Sequence, residues 1–379
     1  MALTGNKGEW SEVYTHLRLL ADGVLFSGDE KYKKLSDLYF PILKILRMEK
    51  EYAEENVYSI DNVNRQILLQ GNRNEITISQ NRFDEMAKIL LKKIKNSRAN
   101  GGKEKLEFPD IEAFMDELDM HELKAKSTEK KDIRMIIHDM RTDRTPEMGF
   151  SIKSKLGGRS TLVNSNKNGT NFLYRITGGI SQEQVEILNA MSDTKEKRRQ
   201  GFFQKWFEQI EEWGYKVEYA GMMNDVFFRN LRYIDTNFHK ILAECLLVYY
   251  SHKTDSKLSN ILKFVAETDP CELHDDLSGG KWYEYCMKQF LVIYALGMTA
   301  NKPWDCMYVA NGGYIVVKED GDIVCYHFYD RNQLENYLFN NTAFDTPSTS
   351  RHEFYQICRE DNGEVFLKLN PQIRFIHDK

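Results

Sequence analysis

Between Gly8 and Leu20 the apolar residues fall at Trp10, Val13, Tyr14, Leu17 and Leu20, with Glu9, Glu12 and His16 along one flank. That spacing predicts an amphipathic helix. The stretch LYFPILKILR, Leu38 to Arg47, has no such period and reads as buried strand or mixed structure. ENVYSIDNVNRQILLQGNRNEITISQ alternates around Asn and Gly turn signals, which predicts short strands. From about Arg82 to Ser127 the pattern changes. FDEMAKILLKKIKNS and IEAFMDELDM are two amphipathic helices, separated by the charged, glycine-bearing loop SRANGGKEK. Residues 82–127 therefore read as a helical insertion after an N-terminal part, 1–81.

KKDIRMIIHDM (Lys130 to Met140) and MGFSIKSKL (Met148 to Leu156) both read as strands, and RTDRTP between them is turn chemistry. If the turn is centred between Thr142 and Asp143, Asp132 lies opposite Lys153 and Arg134 opposite Ser151, with Cβ atoms about 5 Å apart. Alternation puts Asp132, Arg134 and His138 on one face and Ile133, Met135 and Ile137 on the other. On the second strand Ser151, Lys153 and Lys155 share a face, while Phe150 and Ile152 point inward. Each strand is expected to bury one face and to present Asp or Lys on the other.

RSTLVNSNKNGTNFLYRITGG continues with an Asn-rich loop and a third strand, so 128–180 reads as a hairpin plus loop. Gln182 to Tyr215 and Phe227 to Phe264 are mainly helical, and KWYEYCMKQFLVIYALGM is a strongly apolar helix. GGYIVVKEDGDIVCYHFY is a hairpin turned at EDGD, and GEVFLKLNPQIRFIH is again strand-like. Residues 181–379 form a C-terminal α/β part. Helices and strands are mixed throughout, so the fold class is α/β or α+β.

Composition narrows the partners. The chain has 379 residues and a net charge of −5, so any nucleic-acid surface must be local. From Met148 to Arg175 there are five basic residues, Lys153, Lys155, Arg159, Lys167 and Arg175, and no acid. The same span carries Ser160, Thr161, Asn164, Ser165, Asn166, Asn168 and Asn171. Arg and Asn can read guanine and adenine edges, and hydroxyls can take phosphates. A plain polar turn is the simpler alternative. A second candidate is DTPSTSRHEF, where Ser348, Thr349, Ser350, Arg351 and His352 form a polar loop. Arg351 and His352 could read guanine or hold a phosphate; a capped turn is the alternative. None of the six cysteines forms a CxxC, which argues against zinc and against a disulfide framework. They read as buried, reduced thiols of a cytosolic protein. No signal-peptide run opens the chain, and no stretch approaches the ~20 apolar residues of a membrane span.

An Asp on one strand facing a Lys on the next is the arrangement of phosphodiester hydrolysis on a PD-(D/E)xK scaffold. There the acid holds a divalent metal and the lysine orients or deprotonates the attacking water. The second acid normally stands two positions before the lysine. Here that position is Ser151, and a hydroxyl is a poor magnesium ligand. Glu147 lies six residues upstream of Lys153, about 20 Å along a strand. Asp139 has the wrong parity. The first helix offers Glu12, at the edge of the buried stripe, and Glu9 one turn earlier. KGEWSE also resembles the KGxxxE helix of archaeal Holliday-junction resolvases, whose glutamate is a metal ligand, and this favours Glu12 over Glu9. The alternative is a surface salt bridge between Asp132 and Lys153.

Taken together, NKGEWSEVY, KKDIRMIIHD, GFSIKSKLGGRSTLVNSN, GTNFLYRI, NGGYIVVKEDGDIVCYH, FDTPSTSRHEF and LNPQIRF resemble the HpaII family of type II restriction endonucleases, from residue 6 to residue 375. The resemblance implies a PD-(D/E)xK core with a mixed sheet, Mg2+-dependent cleavage of double-stranded DNA, and a short palindromic target, CCGG for the family's namesake. It implies Asp132 and Lys153 as the acid and lysine of the nuclease core, with Ser151 in the second acid's place. It also implies a prokaryotic cytoplasmic setting and a methyltransferase that protects the same site. A palindromic target suggests a homodimer. The alternatives are an inactive nuclease-fold DNA-binding protein and a DNA repair or junction nuclease.

Overall fold

The structure is a computed structural model that describes residues 2–97, 105–125, 131–193, 202–272, 281–347 and 357–376. The chain opens with α1 (Lys7–Asp22), β1 (Val24–Gly28), β2 (Lys34–Arg47), β3 (Asn56–Asp61), β4 (Gln66–Gln70) and β5 (Glu75–Ser79). Helices α2 (Gln80–Asn96) and α3 (Pro109–Glu117) follow, then strands β6 (Ile133–Ile137), β7 (Glu147–Ser154), β8 (Thr161–Val163) and β9 (Phe172–Thr177). Next come α4 (Gln182–Asp193), α5 (Phe202–Glu212), β10 (Lys216–Met222), α6 (Asp225–Ile234), α7 (Phe238–Tyr250), α8 (Leu258–Thr268) and α9 (Lys281–Leu296). The chain closes with β11 (Gly313–Val317), β12 (Ile323–His327), α10 (Arg331–Asn340), β13 (Thr342–Phe344), β14 (Ile357–Arg359), β15 (Val365–Leu369) and β16 (Ile373–Phe375).

Two compact units result. The first is Met1–Ser160 with Met307–Tyr337, and the second is Thr161–Cys306 with Leu338–Asp378. The first holds a nine-stranded sheet in the order β1-β12-β11-β7-β6-β2-β3-β4-β5. The β1/β12 and β11/β7 pairs are parallel and the others antiparallel, so the class is mixed α/β. β2 is a single 14-residue strand and not mixed structure. Its N-terminal half pairs β1 and its C-terminal half pairs β6 and β3. In the second unit β10-β9-β15-β14 and β13-β16-β8 form two smaller sheets. Helix α9 there is buried through most of its length from Tyr283 to Leu296, as an all-round apolar helix must be.

Helix α1 forms where its pattern places it. The Asn6 side chain accepts from Glu9 N–H and the Glu9 side chain accepts from Asn6 N–H, a complete capping box. Gly23 ends the helix at φ 63°, and a Cβ there would meet Asn62 Oδ1 at 1.9 Å. Trp10, Val13, Tyr14, Leu17 and Leu20 are buried in one core with Phe83, Leu90, Phe150 and Ile152.

The strand β7 departs from expectation in two ways. First, the β6–β7 register pairs Ile133 with Phe150 and Arg134 with Gly149. The Asp139–Arg144 bridge closes a turn centred one residue earlier than expected. Arg134 therefore faces Gly149, not Ser151, and the same register brings Asp132 to Ser151 instead of Lys153. The slip is two residues, so parity and face assignments survive. Second, β7 is not half-buried: it is a central strand, buried on both faces from Met148 through Ile152. Tyr314 of β11 lies beside Ser151 and pairs with Tyr326 of β12, which stacks on Tyr337 at 3.7 Å. These rings line the face that alternation assigned to polar residues.

The cysteines also differ from expectation. Cys245, Cys286 and Cys325 are buried, Cys271 is half-buried, and Cys306 and Cys358 are exposed; all six are free thiols. Among the described residues no helix is long and apolar enough to cross a membrane.

Candidate active site

Asp132 immediately precedes β6. Its N–H donates to Phe150 O at 2.8 Å, which holds it against β7. Its Oδ2 accepts from Ser151 Oγ at 3.0 Å and from Ile152 N–H at 2.7 Å. The Ser151 hydroxyl therefore acts as a donor that aims the Asp132 carboxylate. A carboxylate in its place would face Asp132 as a like charge.

Ser154 Oγ donates to Ser11 Oγ at 2.8 Å and ties the last residue of β7 to the first turns of α1. Lys153 and Glu12 are the chain neighbours of those serines, and the charge of Glu12 acts on Lys153. Lys153 is half-buried, with Nζ 5.3 Å from the centroid of the Tyr314 ring. Burial lowers its pKa from the ordinary lysine value, opposed by the negative charges of Asp132 and Glu12. Glu12 is pushed up to about 7, first by burial and second by the charge of Asp132, with Lys124 and Arg47 pulling the other way. Asp132, Glu12 and Lys153 thus share one electrostatic field. Lys124 completes it: its Nζ lies 3.5 Å from Glu12 Oε1 and 3.8 Å from Glu9 Oε1.

The chain matches known proteins over nearly all of its length. The model of the HpaII restriction endonuclease family matches residues 6–375. The type II restriction enzyme HpaII of Haemophilus parainfluenzae is 42% identical over 374 residues, 98% of this chain and 99% of that protein. The chain belongs to the HpaII restriction endonuclease family. It is a type II restriction endonuclease. No solved structure matches it.

Two carboxylates in a mostly dry, shared field suit a hard divalent cation. Mg2+ is commonly held by one or two carboxylates and completed by water and phosphate. A cation would offset the cost of burying the Glu12 carboxylate and the repulsion it feels from Asp132, so the donor set fits. Among the described residues no three His, Cys, Asp or Glu side chains gather into a ready-made cage. Glu9 is partly committed elsewhere, because its Oε2 caps α1. Glu147 is paired with Arg134 at 2.5 Å, and buried Asp139 accepts from Arg141 N–H and Thr142 Oγ1 in the turn.

The basic and Asn-rich residues of the endonuclease divide between the units. In the first, Lys155 is half-buried with Nζ 3.5 Å from the Tyr32 ring centroid, Arg159 is exposed, and Ser160 donates to Ser154 O at 3.4 Å. In the second, Asn164, Lys167 and Asn168 are exposed. Asn166 closes the loop by accepting from Asn168 N–H at Oδ1, while its carbonyl accepts from Gly169 N–H and Thr170 N–H. Asn171 is buried: its Nδ2 donates to Lys167 O at 2.5 Å and its Oδ1 accepts from Asn370 at 2.8 Å. Ser348, Thr349, Ser350, Arg351 and His352 lie outside the described residues. Sequence reasoning missed Lys124 and Tyr314. Lys124 sits in the patternless stretch HELKAK, and Tyr314 reads as ordinary strand; neither carries a signal at the sequence level.

Proposed function

We propose that the endonuclease hydrolyses both strands of DNA at a short palindrome, with Asp132 and Glu12 holding Mg2+ and Lys153 handling the attacking water. Site-specific cleavage of DNA is the activity of its family. The metal, the residues and the target are our reading. One observation carries it: the charges of a strand-flanking Asp and a helical glutamate both act on a half-buried lysine of the adjoining strand, and the Asp acts on the glutamate as well. In this reading the first unit is a PD-(D/E)xK core in which Glu12 supplies the acid that Ser151 does not.

Bound Mg2+ would supply charge neutralisation and a Lewis acid at the scissile phosphate. The protein's own groups do the rest. Ser151 and Ile152 N–H fix the Asp132 carboxylate. Lys153, its ammonium form disfavoured by burial, orients the attacking water, accepts its proton and offsets charge that develops on the phosphate. Ser151 is then a positioning residue, and Glu9 caps the helix. Lys155, Arg159 and Ser160 in the first unit, with Asn164, Asn166, Lys167 and Asn168 in the second, contact DNA. Asn171 holds its loop. The Ser348–His352 stretch is a further DNA contact. CCGG as target, a homodimer matching the palindrome, a protecting methyltransferase and a cytoplasmic setting complete the proposal.

The test is plasmid cleavage by purified protein with and without Mg2+, followed by sequencing of the cut ends from a random library. Discrete fragments with one palindromic end, formed only with Mg2+, support the reading. Binding without nicking, or ends that follow DNA shape instead of sequence, would refute it.

A further inference from the structure

We infer that Lys124 is a resident cation of the Glu12 site, one that a divalent metal must displace, so that the metal-free endonuclease is held in a charge-balanced resting state. This rests on the reading of Asp132 and Glu12 as metal ligands. The Glu12 side chain is only 16% exposed, while that of Lys124 is 55% exposed. The ammonium therefore reaches in from solvent onto a carboxylate that the protein encloses. It lies within 4 Å of both Glu12 and Glu9, on the acids that sequence reasoning selected as ligands.

The local fold supports a cation that can leave. Leu123 beside it is buried, and its Cδ1 fills the space where a Cβ on Gly5 would lie. The backbone at Lys124 is thus anchored near the N-cap end of α1. Residue 124 itself lies in neither helix nor strand. A four-carbon stem on an anchored backbone can swing without unfolding anything. Lys124 also acts on Lys153 as a like charge. A divalent cation on Glu12 would repel Lys124 twice as strongly as a monovalent one at the same distance. Metal and ammonium therefore compete for one carboxylate, and the resting contact sets how much metal is needed.

The experiment is Mn2+ binding to metal-free protein, read from the EPR signal of free Mn2+, for the parent, Lys124→Met, Lys124→Arg and Glu12→Gln. Lys124→Met removes the charge and keeps the stem, and it should bind Mn2+ about tenfold more tightly. Lys124→Arg should stay near the parent. Lys124→Met binding with parental or weaker affinity, while Glu12→Gln has lost the site, overturns the resident-cation inference alone. Glu12→Gln binding like the parent overturns the metal-site reading beneath it.

Discussion

Glu12→Gln should stabilise the metal-free protein while destroying its metal site. Glu12 ordinarily titrates near 4.5 and is pushed up to about 7 by burial and by Asp132. Holding it ionised in the fold therefore costs about 3 kcal/mol, at about 1.4 kcal/mol for each pKa step. Below pH 4.5 the group is neutral in both folded and unfolded chains, and Glu and Gln are matched. As pH rises the unfolded chain ionises first, so parental stability falls, and above about 7 the loss is complete. The glutamine variant escapes it. At pH 8 in EDTA it should be more stable than the parent by up to about 3 kcal/mol, and at pH 4.5 by close to nothing. Urea unfolding at both pH values measures this. Adding Mg2+ should stabilise the parent and leave the variant unmoved. A variant whose advantage does not grow between pH 4.5 and 8 would show that Glu12 is not strained by its surroundings.

Further substitutions probe the other residues. Lys153→Ala should lower cleavage by about 10³-fold or more while DNA affinity in a gel-shift stays within a few fold; parental cutting rates would remove Lys153 from the chemistry. Ser151→Ala loses one of two donors to Asp132 and should cost about 1 kcal/mol in a thermal melt, with cleavage reduced about tenfold. Ser151→Asp, which writes the usual acid back into the motif, should be less stable than the parent and no more active, because it faces Asp132 as a like charge. Mn2+ affinity should fall about tenfold for each pH step below about 7 and stay flat above it, as a proton competes for Glu12. Asn171→Ala should lower stability by about 1–3 kcal/mol through the lost bonds to Lys167 and Asn370, with the cut site unchanged in fragment mapping.

Periodicity is local, and it was legible in the sequence. Helix α1 follows from its 3.6-residue stripe, its Asn6–Glu9 box and its terminal glycine, because these act within one or two turns of chain. Alternation in β6 and β7 correctly separated Ile133, Met135, Phe150 and Ile152 from Asp132 and Lys153, because side-chain period belongs to the strand itself. Parity put Asp132 and Lys153 on the face away from those apolar residues; which of the polar residues on it carry chemistry came from the family resemblance and not from parity.

Pairing partners, cover and charge balance were decided by the tertiary structure. The turn centre shifted by one residue, which moved Asp132 from Lys153 to Ser151 and changed the meaning of the serine from a missing ligand to a donor. What covers the second face of β7 is Tyr314, about 160 positions later, and no local pattern reports such a partner. Lys124 meets Glu12 from a loop without period, and the displaced pKa of Glu12 exists only once water is excluded. Dihedral preference and side-chain period act over a few residues and are written in the chain. Register, burial and electrostatic coupling depend on distances through space, which exist only after distant segments have met.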